Sequence, residues 1–77
     1  MKITIEVHGL SIAAIHGDGV AFEMDLAKGA DREALLKALG LDPAAGILVV
    51  VNGTVASKGR QISEHDHVSL FAPVIGG

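Results

Sequence analysis

From Lys2 to His8 the chain alternates: Ile3, Ile5 and Val7 are apolar, while Lys2, Thr4, Glu6 and His8 are polar. A period of two places one set on each face of a half-buried strand, so a first strand is predicted over 2–8. Leu10 to His16 has no clear period, and Gly17-Asp18-Gly19 reads as a turn. Beyond it Val20, Phe22, Met24 and Leu26 alternate with Ala21, Glu23 and Asp25, which predicts a second strand closing an N-terminal hairpin.

The spacing then lengthens. Asp31 is an N-cap residue, Glu33 falls in the first helical turn, and Leu35, Leu36 and Leu39 make an apolar stripe. Glu33 and Lys37 stand at the i,i+4 spacing of an ion pair, and Gly40 ends the helix ahead of Asp42-Pro43. About three turns of helix are expected, and no other helix. Ile47 to Val51 is apolar at every position, as in a central strand, and Asn52-Gly53 after it is a strong hairpin signal. A short strand over 54–56 follows. Residues 57–67 form a polar connection anchored by Ile62, and 68–72 reads as a last strand with Val68 and Leu70 on one face.

The predicted order is β-β-α-β-β-β, so the helix covers one face of a sheet and leaves the other without a covering element. An open face is polar or used. The first two strands turn out Lys2, Thr4, Glu6, Glu23 and Asp25, but the third turns out Leu48 and Val50, joined by Phe71 of the last strand. A patch of this kind marks a docking site; alternatively, the 10–15 loop folds over it.

Composition narrows the chemistry. The 77 residues carry a net charge of −3 and include no cysteine, no tryptophan, no tyrosine and ten glycines. Length allows a single domain over 1–77, with a core made of aliphatic packing rather than disulfides. Without thiols there is no cysteine nucleophile and no cysteine-based zinc site. An acidic balance with two phenylalanines as the only Phe, Tyr or Trp residues argues against a nucleic-acid partner. Polar residues interrupt any signal-peptide core, and no run of about 18 apolar residues exists to span a membrane. A cytoplasmic location without membrane association is expected.

Candidate reactive groups are sparse. His65 and His67, flanked by Glu64 and Asp66, would share a face on a strand and could hold a metal, but Ser63 to His67 reads as a turn and supplies no third ligand. Lys58 and Arg60 bracket Gly59 and suit a phosphate or an acidic partner, or simply a solvated loop. Ser11, Ser57, Ser63 and Ser69 lie in no nucleophile elbow, and the chain is too small for a ligand pocket of several hundred Å3 beside its core. An autonomous enzyme is therefore not expected.

The C-terminus stands apart. At a glycine frequency of 10 in 77, a terminal pair arises by chance about 2% of the time. Here an apolar strand leads into Pro73, Val74 and Ile75, which are too hydrophobic for an idle tail, and then into Gly76 and Gly77, which lack a Cβ. Such a tail suits a narrow partner channel, with its terminal carboxylate unhindered.

These features together resemble the MoaD/ThiS family of ubiquitin-like sulfur carriers: the alternating first hairpin, Leu39-Gly40-Leu41 closing the helix, Val49-Val50-Val51-Asn52-Gly53, the acidic turn before Val68, and Leu70-Phe71-Ala72-Pro73-Val74-Ile75-Gly76-Gly77. The resemblance spans the chain. It implies an α+β, β-grasp (ubiquitin-like) fold, with a mixed sheet of four to five strands packed on one helix and a flexible tail over 73–77. It also implies a role for Gly77: an ATP- and Mg-dependent, ubiquitin-activating-type adenylyltransferase adenylates its carboxylate, and sulfur then replaces AMP to give a thiocarboxylate. The chain itself would bind no cofactor. Tail residues Pro73, Val74, Ile75 and Gly76 would insert into a partner, while Phe71, Leu48 and Val50 dock.

The ending is closest to the small subunit of molybdopterin synthase, whose large subunit would be the partner. Ala72 stands where that branch often has a first proline, and His65 and His67 stand where glycine and an acid are usual. The alternatives are sulfur delivery to thiazole synthase in thiamine synthesis, another thiocarboxylate route such as tRNA thiolation, cysteine synthesis or protein tagging, or a ubiquitin-like interaction domain that is never activated. The sulfur donor implied is a cysteine desulfurase or rhodanese.

Overall fold

A computed structural model describes residues 1–10 and 17–73. Among the described residues the strands are β1 (Lys2–His8), β2 (Phe22–Asp25), β3 (Leu48–Val51), β4 (Thr54–Val55) and β5 (His67–Phe71), and the helix is α1 (Arg32–Ala38). They form a five-stranded sheet in the order β2-β1-β5-β3-β4. β1 pairs antiparallel with β2 and parallel with β5, and β3 pairs antiparallel with both β4 and β5. This mixed sheet packed on α1 is the β-grasp arrangement.

The period-2 pattern places the core. Ile3, Ile5 and Val7 from β1, Val49 and Val51 from β3, and Val68 and Leu70 from β5 are buried against Leu35 and Leu36 of α1. Each such side chain contributes about 1.5–3 kcal/mol by leaving water. Ile62 is buried as the anchor of the 57–67 connection, and its amide donates to the Ala30 carbonyl.

Several boundaries differ from expectation. The helix has seven residues, two turns rather than three. Its start is the Asp31 cap, whose side chain accepts from the Ala34 amide. Its end is a Schellman motif: Gly40, at φ +76°, donates to Lys37, and Leu41 donates to Leu36. The expected Glu33–Lys37 pair does not form; Glu33 is instead ion-paired with Arg32 and accepts from the Gly59 amide at 2.7 Å. β3 begins at Leu48 rather than Ile47, because the Ile47 carbonyl is taken by the Arg32 guanidinium at 3.1 Å. β2 is shorter than 20–26: the Val20 amide closes the turn onto Gly17, and the Leu26 amide bonds to the Met1 carbonyl. β4 stops at Val55, one residue short, and β5 begins one residue early at His67 and ends at Phe71. Among the described residues no helix is long and apolar enough to cross a membrane.

Candidate functional site

β5 is the central strand of the sheet, so the C-terminal segment leaves from its middle rather than from an edge. At its end Phe71 pairs with His8 of β1 on one side and Leu48 of β3 on the other. These three side chains form one row on the face turned away from α1; their neighbours Val7, Leu70 and Val49 point into the core. The next row is Glu6, Ser69, Val50 and Val55.

Apolar surface gathers at the β3–β4 end of this face, where Leu48 is 45% and Val55 63% exposed. Phe71 and Val50 are half-buried beside them. The β1–β2 end is polar, carrying Lys2, Thr4, Glu6, Glu23 and Asp25. The expected docking residues Phe71, Leu48 and Val50 thus share one face, beside the point where the tail departs. Of the 10–15 loop proposed to cover them, Leu10 packs against the core instead, and residues 11–16 lie outside the described residues.

The root of the tail is bonded on the β1 side and passes close to a loop on the β3 side. The Ala72 amide donates to the His8 carbonyl at 3.0 Å, continuing the β1–β5 ladder past Phe71. Gly9 has φ +70°, and a Cβ built there would lie 3.3 Å from the Ala72 Cβ. On the β3 side a Cβ at Gly46 would lie 3.6 Å from that of Pro73. The contact at Gly9 is the tight one, where a side chain would crowd Ala72; at Gly46 the spacing is that of an ordinary van der Waals contact. Val74, Ile75, Gly76 and Gly77 lie outside the described residues.

The two neighbouring histidines do not act together. His65 occupies a turn at φ +67°, whereas His67 opens β5 and its Nε2 is hydrogen-bonded to the Glu6 carboxylate on the neighbouring strand β1. Among the described residues no group of three or more His, Cys, Asp or Glu side chains is placed to hold a metal. Asp66, between the histidines, is buried and structural: it accepts from Asn52 Nδ2 at 2.8 Å and from the Ser63 amide at 2.7 Å. Sequence reasoning missed this role, although a polar residue immediately before an apolar strand and opposite a hairpin asparagine was the available signal.

Two open depressions correct the expectation that no such volume exists. One, of about 600 Å3, is lined by Met1, Lys28, Gly29, Ile62, Ser63 and Glu64. The other, of about 390 Å3, brings Lys58 beside Arg32, Glu33, Lys37, Pro43 and Ala44. Arg60 does not line it; its Nε donates to the Gln61 carbonyl. Both are surface features lacking an apparent nucleophile–base pair. Near the second, the Gly59 amide and then the Arg32 guanidinium hold the Glu33 carboxyl below its ordinary value.

Residues 13–77 match the family model described as ThiS family. Comparison with curated protein sequences gives no match. Among solved structures, SAMP1 from Haloferax volcanii is 25% identical over 100% of both chains, with a TM-score of 0.70. A provisionally assigned molybdopterin converting factor, subunit 1, from Pyrococcus furiosus is 20% identical over 96% of this chain and 99% of that one, with a TM-score of 0.72. Urm1 from Trypanosoma brucei is 17% identical over 99% and 95%, with a TM-score of 0.63.

Proposed function

The chain belongs to the ThiS family of ubiquitin-like proteins, and from that premise we propose that it carries sulfur as a thiocarboxylate on Gly77. One observation carries this reading: the strand that leads to Gly77 is the central one, and its last residues emerge beside the apolar row Phe71–Leu48. A partner that covers Leu48, Val50 and Phe71 would hold the tail residues Pro73, Val74, Ile75 and Gly76 within reach of its own active site.

The chemistry needs activation. A carboxylate is a poor electrophile, so one Gly77 oxygen attacks the α-phosphorus of ATP in an adenylyltransferase, forming the acyl adenylate and releasing pyrophosphate. Hydrosulfide, or the terminal sulfur of a persulfide on a desulfurase or rhodanese, then attacks the carbonyl carbon and expels AMP. The persulfide route gives an acyl disulfide, from which a second thiol of the donor or a small-molecule thiol releases the thiocarboxylate by attacking the donor sulfur and forming a disulfide with it. In the hydrosulfide case the product is the thiocarboxylate directly. The absence of a Cβ at Gly76 and Gly77 leaves that carbon open to attack from either side. The chain is thus a co-substrate, and ATP and Mg belong to its activating enzyme.

As the consumer of this sulfur we propose the large subunit of a molybdopterin synthase, on the strength of the Phe71-Ala72-Pro73 lead into Val74-Ile75-Gly76-Gly77. A second reading, protein tagging through the same activated Gly77, is favoured by the likeness to SAMP1, which is a small archaeal modifier protein. Delivery to thiazole synthase is the third outcome of the same test.

The activation step is tested by ATP–pyrophosphate exchange with the cognate activating enzyme. Exchange that depends on the intact chain and vanishes when Gly76 and Gly77 are deleted is expected; exchange indifferent to that deletion contradicts the assignment. Sulfur transfer from the thiocarboxylated chain to a molybdopterin precursor, to thiazole synthase, or replacement of sulfur by a protein amine then identifies the consumer.

A further inference from the structure

His8 ends β1 and faces away from the core, where a polar side chain facing solvent would be expected. Its ring instead lies flat on that of Phe71, with centroids 4.7 Å apart and planes within 11°. Its backbone carbonyl accepts from the Ala72 amide, so a single residue holds two consecutive positions of the tail's root, one through its ring and one through its main chain. The Cε1–Nδ1 edge of the imidazole is close to Gly19: a Cβ there would lie 3.4 Å from His8 Cε1 and 3.6 Å from Nδ1. Gly19 is fixed in turn by the hydrogen bond its amide donates to the Val7 carbonyl at 2.9 Å, and Asp18 accepts from the Gly9 amide at 2.7 Å.

We propose that His8 is a positioning residue for the tail: stacked on Phe71, with its ring edge beside Gly19, it fixes Phe71 and Ala72, and so sets where the chain departs relative to the docking row. This deepens the carrier reading and rests on it. Gly77 lies four residues beyond Pro73, a reach of at most about 14 Å. A short arm engages a partner's active site only if its root is held over the surface that the partner grips. Fixing the root beforehand removes an ordering cost from association.

The stack is the testable element, because a phenylalanine preserves it and an alanine does not. In the free chain, His8→Ala is expected to lower the 15N heteronuclear NOE of the Phe71 and Ala72 amides, and His8→Phe to retain it. With the cognate activating enzyme, His8→Ala is expected to raise KM for the chain roughly fivefold, with kcat nearly unchanged. His8→Phe is expected to restore KM, and His8→Ala to add nothing once Phe71→Leu has removed the stack.

An unchanged NOE and KM in His8→Ala would overturn the proposal. So would a His8→Phe chain that behaves like His8→Ala, since the imidazole nitrogens rather than the stack would then matter. The NOE requires no sulfur chemistry. A wild-type chain that is never activated, yet loses order at Ala72 only in His8→Ala, would contradict the carrier reading while supporting the hold of His8 on the tail's root.

Discussion

The side-chain amide of Asn52 donates to the buried carboxylate of Asp66 at 2.8 Å, joining the β3–β4 turn to the entry of β5. The same asparagine accepts from the His67 amide at 2.9 Å, and its own amide donates to the His67 carbonyl at 2.8 Å. Asn52 has φ +51°, so it also supplies the left-handed backbone that the turn requires. Asn52→Gly keeps that backbone and removes only the side chain. Because it leaves a buried carboxylate short of a donor, it is expected to cost about 1–3 kcal/mol in urea unfolding. A loss below about 0.5 kcal/mol, within ordinary surface variation, would show that the pair does not help hold β5.

The two faces of β3 make a second prediction. Val49 is buried while Leu48 is 45% exposed. Val49→Ala is expected to destabilise the chain by roughly 2 kcal/mol, and Leu48→Ala by less than about 0.5 kcal/mol. Equal losses by chemical denaturation would mean that Leu48 is covered.

Phe71→Asp extends this contrast to function. Phe71 lies on the outer face, so a charge there is expected to leave far-UV circular dichroism unchanged while weakening binding to the cognate activating enzyme at least roughly tenfold, by analogy with interface hot spots. Unfolding on this change would place Phe71 in the core.

Glu33 gives a pH dependence. The Gly59 amide, followed by the Arg32 guanidinium, lowers its pKa from the ordinary 4.5. A carboxylate whose folded pKa is depressed contributes stability that is present above the unfolded value and lost as pH falls through the folded one. The wild-type chain is therefore expected to be more stable than Glu33→Gln at pH 7, with the difference shrinking progressively below pH 4.5. A difference that stays constant from pH 7 to acid would exclude the ionised carboxylate as its source.

Alternation and turn chemistry made most of the fold legible. Ile3, Ile5 and Val7 announce β1, Asn52-Gly53 marks the hairpin, and Asp31 and Gly40 bracket α1. What the sequence pattern could not supply were bonds between segments distant along the chain. Glu33 is spaced for Lys37 but meets Gly59, 26 residues away, because the 57–60 turn folds onto the start of the helix. Ile47 is apolar enough for a strand, yet its carbonyl is claimed by Arg32.

The candidate site divides in the same way. That Leu48, Val50 and Phe71 share a face follows from a period of two. That His8 completes their row follows only from the parallel pairing of β1 with β5, which joins the two ends of the chain. Nothing local to Lys2–His8 distinguishes His8 from any other polar residue on an outer face.

The central claim is that Gly77 is the reactive group, and intact-mass measurement tests it most directly. After incubation with the cognate activating enzyme, ATP, Mg and sulfide, exchange of one oxygen for sulfur is expected to add about 16 Da, localised to the C-terminal peptide and abolished by deleting Gly76 and Gly77. No gain with the cognate enzyme, or a gain that survives the deletion, would contradict it.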